Sequence, residues 1–477
     1  LYTLFVPDRA RTAFPLFDQP DLKARYQLQL VVPADWEAIG NAPLEHKQTD
    51  GGRTHYHFAV SEPTSSYLFS FVAGRFERVS REINGRSFNL LHRETDADKV
   101  QRNLDAIFDL HSSSLSWLED YTGIDYPYAK FDFALIPSFQ YGGMEHPGAI
   151  QYRASSLFLD QSPTQSQLLD RAGLIAHETA HMWFGNLVTM KWFNDVWTKE
   201  VFANFMAAKI VNPAFPEINH DLNFLMRHYT DAYSVDRSAG ANPIRQHLGN
   251  LNQAGQMYGP IIYKKAPIMM RQLELVLGAD RFRKGMQSYL GEFAFGNATW
   301  PDLIAILDRL TEQDLSAWSE VWVNTPGRPY FELTMEKDQT LLRQRDPAGR
   351  GRSWPQQFSA TFPGGPAEVN SAAKPLKLSA VPEQLNVDGY GYGLFPVAAA
   401  ALADQQGRTA LARGALLVDA WENFLQGSLT SAPEYTRFLL ARSAAEDNPL
   451  ILKQALTQLY RVYGSFLSAK EQASIQA

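Results

Sequence analysis

Two histidines and a glutamate in the stretch HETAH, which begins at His177, have the types and spacing to bind and use a metal ion. On a helix, residues four positions apart lie on the same face, so His177 and His181 can offer two imidazoles to one ion. Glu178 is rotated around the helix, which makes it a poor third ligand. Its side chain can instead reach over the open coordination position of the metal and take a proton from a water bound there. Catalytic zinc needs three protein ligands, and Glu200 can supply the third.

The alternative interpretation of this stretch is a surface helix whose two histidines are merely solvated. The flanking residues count against it, because Ile175, Ala176, Trp183 and Phe184 make the helix apolar on most sides. Buried imidazoles need polar partners. The pattern therefore favours a metal site.

The hydrophobic periodicity predicts the elements that must position these residues. Apolar positions at helical spacing predict helices over 165–185 and 196–211, joined by a loop with Gly185-Asn186 that lets the second helix pack on the first. A longer helix is expected from about 96 to 123, followed by a buried strand at FDFALIP. Before it, alternating runs predict strands beginning near 26, 54 and 66 and a hairpin at Asn84-Gly85.

Composition excludes several function classes. The 477 residues are 45% hydrophobic and 20% charged, which is typical of a globular chain with large cores. The formal charge is -7 and no basic tract is present, so nucleic acid is not expected as a partner. The chain has no cysteine, which excludes disulfides and thiolate ligands. We expect no membrane span and no signal peptide, while compartment and oligomeric state stay open.

The segment LIAHETAHMWFGNLVTMKWFNDVWTKEVFANF resembles the zinc site of the aminopeptidase N family of gluzincin metallopeptidases, the group that includes leukotriene hydrolase. The resemblance implies one zinc ion per chain, with His177, His181 and Glu200 as ligands and Glu178 as general base. Lys199 and Val201 stand where the family usually has Asn and Gly. That departure is expected to change the loop but not the ligand.

The segment YGGMEHPGA, which begins at Tyr141, resembles the exopeptidase motif of the same family. The resemblance implies that Glu145 binds the free α-ammonium of the substrate and that the backbone around Gly142, Gly143 and Met144 contacts the peptide. A carboxylate that binds the N-terminus at a fixed distance from the metal would place the bond after the first residue at the metal. Tyr141 is expected to form a wall of the pocket for the first side chain and to favour medium or large apolar residues.

One departure and one further match complete the comparison of motifs. His146 stands where the family usually has Asn, which leaves the contact of that side chain open. The segment YGPIIYKKAPIMMRQLE resembles the family segment that carries a tyrosine before a helix. The resemblance implies that Tyr263 donates a hydrogen bond to the oxyanion of the tetrahedral intermediate. Tyr258, one helical turn earlier, is expected to pack in the core.

The resemblance covers nearly the whole chain and implies an α+β fold of several domains. Residues 1–80 are expected to be the second part of an N-terminal β domain, and 81–325 a thermolysin-like α/β catalytic domain. A small β-sandwich over 326–400 and the start of a C-terminal helical domain over 401–477 follow. The rest of the two terminal domains is expected to lie outside this chain.

The implied activity is that of a zinc aminopeptidase, which removes N-terminal residues from peptides with a free N-terminus. Three alternatives remain. A thermolysin-like endopeptidase shares the metal spacing but should lack the Gly-Gly-Met-Glu element. A bifunctional aminopeptidase with added epoxide hydrolase activity shares every motif. A non-catalytic interaction scaffold should have lost ligands or the base, and all of them are present.

Overall fold

The computed structural model describes residues 1–257, 259–403 and 407–476. The chain forms two compact units, each built from several segments. The first unit consists of Leu1–Pro216, Gln246–Tyr258 and Asp280–Glu312. The second consists of Glu217–Arg245, Gly259–Ala279 and Gln313–Ala477. The four domains expected from the sequence, with their three boundaries, stay a prediction.

The elements of both units follow in chain order. The strands are β1 (Gln27–Pro33), β2 (Glu37–Gly40), β3 (Leu44–Asp50), β4 (Arg53–Val60), β5 (Phe71–Gly74), β6 (Glu77–Ile83), β7 (Arg86–His92), β8 (Phe131–Ile136), β9 (Gly143–Met144), β10 (Ile150–Arg153), β11 (Thr189–Met190), β12 (Asn297–Ala298), β13 (Tyr330–Glu336), β14 (Gln339–Arg345), β15 (Gln356–Phe362), β16 (Gly365–Ser371) and β17 (Leu376–Lys377). The helices are α1 (Ala97–Thr122), α2 (Ala154–Leu157), α3 (Gln165–Ala180), α4 (Val196–Val211), α5 (His220–Asp236), α6 (Ala266–Leu277), α7 (Ala279–Glu292), α8 (Trp300–Asp308), α9 (Leu315–Trp322), α10 (Ala399–Ala403), α11 (Ala410–Leu425), α12 (Ala432–Ala445), α13 (Pro449–Ser465) and α14 (Ala469–Gln476).

The first unit begins with two small antiparallel sheets, ordered β1-β4-β3 and β2-β5. Strand β4 alternates in burial as the sequence predicts, with Tyr56 and Phe58 in the core. The strand predicted from Ser66 is wrong in its first half, because Ser66–Leu68 is a 3₁₀ turn and only β5 is extended. The Asn41 side chain bonds the Leu68 carbonyl and the Ser70 amide there, which satisfies backbone groups that a ladder would otherwise pair.

A five-stranded sheet ordered β6-β7-β8-β10-β9 forms the centre of the first unit. The predicted hairpin is confirmed, since β6 pairs antiparallel with β7 across the two-residue turn Asn84-Gly85, where both residues have positive φ. At the other edge, the two-residue strand β9 pairs antiparallel with β10. His92 on β7 is buried and packs edge-to-face on Phe158.

Helices α1, α3 and α4 pack together, and α3 also contacts the edge strand β9. The capping box of Thr164 and Gln167 starts α3, and the helix ends at Ala180, before the predicted end at 185, because turns follow. Helix α4 has the predicted bounds. Its first two turns are buried on all sides, as expected for a helix that lies inside a large protein.

The second unit combines helices with two small sheets, ordered β13-β14-β17 and β15-β16. Side chains from both sheets, including Phe331, Leu342, Phe358 and Val369, form one core, so the sheets are the two layers of a sandwich. The helical tail is present as α11 to α14. Helices α8 and α9 are separate, because Asp314 caps α9 anew by accepting from the Ala317 amide.

Gly148 lies in the loop after the Gly-Gly-Met-Glu motif, where it packs closely on the backbone of Asn41. Its φ is +65°, and a Cβ there would lie 2.4 Å from the Asn41 carbonyl oxygen. Gly52 has a similar φ of +78° but nothing within 4 Å. We predict that Gly148→Ala lowers the free energy of unfolding in urea by about 1–3 kcal/mol more than Gly52→Ala, since only Gly148→Ala must displace backbone. Equal losses would contradict this contact.

Candidate metal centre and active site

Helices α3 and α4 bring two imidazoles and a carboxylate together in the first unit. His177 Nε2 lies 3.0 Å from His181 Nε2, and Glu200 Oε2 lies 3.7 Å from His177 Nε2. Glu178 is also close, since His177, Glu178 and His181 each have a potential ligand atom within 4.8 Å of the others. The four residues selected from the sequence therefore occupy one small volume.

The second ring nitrogen of each imidazole contacts an oxygen that fixes its tautomer. His177 Nδ1 lies 3.1 Å from Asn204 Oδ1, and His181 Nδ1 lies 3.0 Å from the Phe184 carbonyl oxygen. Both oxygens are acceptors, so each Nδ1 donates and each Nε2 keeps its lone pair for a ligand. Burial lowers the pKa of His177 to about 4, which favours the neutral ring. Sequence analysis missed Asn204, although its position one helical turn after Glu200 could have indicated it.

Glu178 is held against the edge strand. Its side chain is buried and packs on Gly143, where a Cβ would lie 2.3 Å from Glu178 Oε1. Glu178 Oε2 is buried and has no hydrogen-bond partner among the described residues. Burial, and then the charges of Glu145 and Glu200, raise the pKa of Glu178 well above its usual value. This is the environment of a carboxyl group that can exchange a proton.

Lys199 makes a contact that the sequence analysis did not anticipate. The departure at this position was expected to alter a loop, but Lys199 lies in the first turn of α4 and is buried. Its Nζ lies 2.6 Å from Glu145 Oε1 and 2.8 Å from Glu200 Oε1. Burial opposes ionisation of both carboxyl groups, yet Lys199, together with His181, lowers the pKa of each below its usual value. The ammonium group of Lys199 thus links Glu145, at the edge strand, to Glu200, on α4.

The remaining residues of the exopeptidase motif differ in exposure. Met144 and Glu145 are buried, Gly142 and Gly143 are half-buried, and the Tyr141 ring is 40% exposed. Asn186 Nδ2 donates to the Glu145 carbonyl oxygen at 2.7 Å, which ties the loop after α3 to the motif. His146 is fully buried, and burial lowers its pKa to about 4.

Tyr263 belongs to the second unit. It is half-buried within the π-helix Ile261–Lys265, directly before α6. Short π-helical turns are rare and occur frequently at functional sites. Tyr258, expected in the same region, lies outside the described residues.

The residues at the α3–α4 contact fit a zinc ion. Two neutral imidazoles and one carboxylate are a donor set that zinc uses at catalytic sites. Two ligands about 2.1 Å from a tetrahedral ion lie roughly 3.4 Å apart, and the observed separations of 3.0 and 3.7 Å bracket that value. Glu178 Oε2 lies beside these three residues and has no hydrogen-bond partner among the described residues. Because buried polar atoms normally have a partner, a polar group at this position would satisfy it.

A His-Glu-x-x-His helix with a glutamate on the following helix defines the gluzincin class of zinc metallopeptidase sites. Comparison with known families agrees with that class. Residues 107–322 match the description "Peptidase family M1 domain", and residues 1–68 match "Peptidase M1 N-terminal domain". The chain belongs to the M1 family of peptidases.

Similar proteins include three that carry aminopeptidase names. "Probable aminopeptidase 1" of Sulfurisphaera tokodaii is 34% identical over 72% of this chain and 43% of its own length. "Leucyl aminopeptidase" of Saccharolobus solfataricus is 32% identical, with the same coverage of both chains. "Aminopeptidase N" of Streptomyces lividans is 33% identical over 73% of this chain and 41% of its own length. The matched part of the chain therefore spans less than half of each relative.

Within residues 1–257, 259–403 and 407–476, every helix is too short or too polar to cross a membrane.

The contact between Glu178 and Gly143 leads to a stability prediction. We expect Gly143→Ala to lower the midpoint of thermal unfolding by about 3–10 °C, because the new methyl group must displace a buried carboxylate. Gly142→Ala is the matched control, since its Cβ would meet Leu174 Cδ1 and Cδ2 at ordinary distances of 3.5 and 3.8 Å. Equal midpoints for the two variants would show that Glu178 does not pack on the edge strand.

Proposed function

We propose that this chain carries the catalytic site of a zinc aminopeptidase, which releases single residues from the free N-terminus of peptides. The observation that carries the proposal is the imidazole pair, with Nε2 atoms 3.0 Å apart, beside three buried carboxylates. The aminopeptidase names of the three relatives support the same reaction.

His177, His181 and Glu200 would hold one zinc ion per chain. When bound, zinc supplies Lewis-acid polarisation of the scissile carbonyl and lowers the pKa of a water molecule. The hydrogen bonds of His177 to Asn204 and of His181 to the Phe184 carbonyl orient the two rings for this task. The two oxygens of Glu200 have different neighbours, since Oε1 accepts a hydrogen bond from Lys199 and Oε2 faces His177.

Glu178 acts as the general base in this proposal. Its carboxylate takes a proton from the attacking water and later delivers that proton to the leaving amine nitrogen. Support comes from its position, because Oε1 packs on Gly143 while Oε2 has no partner among the described residues. A base fixed in this way needs little reorganisation during the reaction.

The exopeptidase motif provides substrate recognition. Glu145 binds the α-ammonium of the substrate, while the half-buried backbone at Gly142 and Gly143 contacts the peptide. Buried Met144 and exposed Tyr141 contribute to the pocket for the first side chain. Tyr263 donates a hydrogen bond to the oxyanion, a role that the family resemblance implies and that Tyr263→Phe would remove.

Metal dependence and the role of Glu178 can be tested together with leucine p-nitroanilide. We predict that chelation abolishes turnover and that one equivalent of zinc restores it. We predict that Glu178→Gln keeps one zinc per chain and lowers kcat by about 10²–10⁴-fold, since only the proton acceptor is lost. Metal content is measured by mass spectrometry on the same samples.

Glu292→Gln on the exposed face of α7 is the matched control and should retain the activity of the parent. The proposal is wrong if zinc does not rescue the chelated parent. It is also wrong if Glu178→Gln retains zinc and turns over as fast as Glu292→Gln.

A further inference from the structure

Three histidines share the outer face of the small sheet β1-β4-β3 in the first unit. His55 and His57 alternate with the buried residues Tyr56 and Phe58 on β4, so both imidazoles lie on the solvent side of the sheet. His46 lies on the neighbouring strand β3, whose residues are all exposed. The residues assigned to the proposed catalytic site lie on other elements. The sheet therefore presents metal-ligating side chains that the proposed function does not use.

The register of β3 on β4 sets two of these imidazoles side by side. His46 is directly opposite His57 in the antiparallel pair. Their ring centres lie 6.1 Å apart, and the ring planes meet at 61°. His55 instead lies opposite Gln48 on β3 and Val31 on β1. Directly opposite side chains have Cβ atoms about 4.5–5.5 Å apart, which is within the reach of two ligands for one ion.

The spacing of the His46–His57 pair is close to that of two imidazoles on one metal ion. When the metal lies about 2.1 Å from each ligand nitrogen, the two ring centres lie roughly 4.6–5.3 Å apart. From the observed 6.1 Å, the rings must approach each other by about 1 Å. Rotation of the exposed His46 side chain between its staggered conformations supplies movement of this size.

Both rings of the pair are available to an ion. Among the described residues, neither ring has a hydrogen-bond or ion-pair partner, and each ring contacts the other. The adjacent Lys47 lies opposite Tyr56, and its Nζ lies 2.9 Å from Glu37 Oε1 and 4.9 Å from the centre of the Tyr56 ring. The ammonium group of Lys47 is therefore directed to the other face of the sheet, where it does not repel a cation held by the pair.

A β-bulge lies directly before His46. Leu44 is opposite Phe58 and His46 is opposite His57, so Glu45 is an extra residue in β3. Bulges increase the local twist of a strand, redirect its side chains and are frequent beside functional sites. Because Glu45 is exposed, the bulge also leaves a carboxylate next to His46 in the chain.

We propose that His46 and His57 form a second metal site, which binds a divalent transition-metal ion through two imidazole nitrogens and leaves its other coordination positions to water. Imidazole suits Cu²⁺, Ni²⁺ and Zn²⁺, whereas Mg²⁺ and Ca²⁺ prefer oxygen ligands. The affinity for Cu²⁺ is expected to exceed that for Ni²⁺ or Zn²⁺, as it does at most nitrogen sites. An ion bound in this way joins β3 to β4, and the site does not depend on the proposed function.

Calorimetry with Ni²⁺ tests the pair. The parent, His46→Gln and His57→Gln are each given one equivalent of zinc and then titrated with Ni²⁺, and the zinc that remains bound is measured by mass spectrometry. We predict that each substitution abolishes one Ni²⁺ site or weakens it by at least about tenfold, because the second imidazole otherwise binds the ion within the same chain. The comparison between parent and variants holds whether or not the proposed catalytic site retains its zinc.

His55→Gln is the matched control, since it removes an imidazole from the same strand and the same face but leaves the opposed pair intact. It should bind Ni²⁺ within about threefold of the parent. Equal binding of Ni²⁺ by the parent and His57→Gln would overturn the inference. So would a loss in His55→Gln as large as that in His57→Gln.

A double variant tests whether the opposition of two imidazoles across the strands is what binds the ion. His57→Gln/Gln48→His moves the opposed pair along the sheet to positions 48 and 55, which are directly opposite each other. We expect this variant to recover the Ni²⁺ site that His57→Gln loses. A double variant that binds Ni²⁺ no better than His57→Gln would contradict the proposal.

Discussion

The packing of α3 against α4 is the contact on which the rest of the site depends. It sets the imidazoles of His177 and His181 beside the carboxylate of Glu200, and it places Asn204 where it fixes the tautomer of His177. The two helices approach closely because the buried start of α4 is apolar on the sides that Lys199 and Glu200 do not use. A loss of this contact would separate these side chains and leave the carboxylate of Glu200 buried without its partners.

Burial makes the site one electrostatic unit rather than a set of independent residues. Glu145, Glu178 and Glu200 are all buried, and two of them share the ammonium of Lys199. In a region of low dielectric constant each charge affects the protonation of its neighbours, so the protonation of Glu178 and that of Glu145 depend on each other.

The sequence predicted the parts of the site that depend on local periodicity. The spacing of His177 and His181 placed them on one helical face, and the helix that carries Glu200 begins and ends at the predicted residues. The contacts of Lys199 with Glu145 could not be predicted, because they join residues far apart in sequence through the packing of α4 near the edge strand. The first half of the strand predicted from Ser66 failed for a similar reason, since the distant Asn41 side chain bonds its backbone.

The central claim is that two imidazoles from α3 and one carboxylate from α4 hold a zinc ion. Diffraction data collected at the zinc absorption edge from zinc-loaded crystals test it most directly. The account predicts one strong anomalous peak about 2.0–2.2 Å from His177 Nε2, His181 Nε2 and a Glu200 oxygen. A peak elsewhere, or a Glu200 carboxylate that bonds only Lys199 and leaves the ion to the histidines, would contradict it.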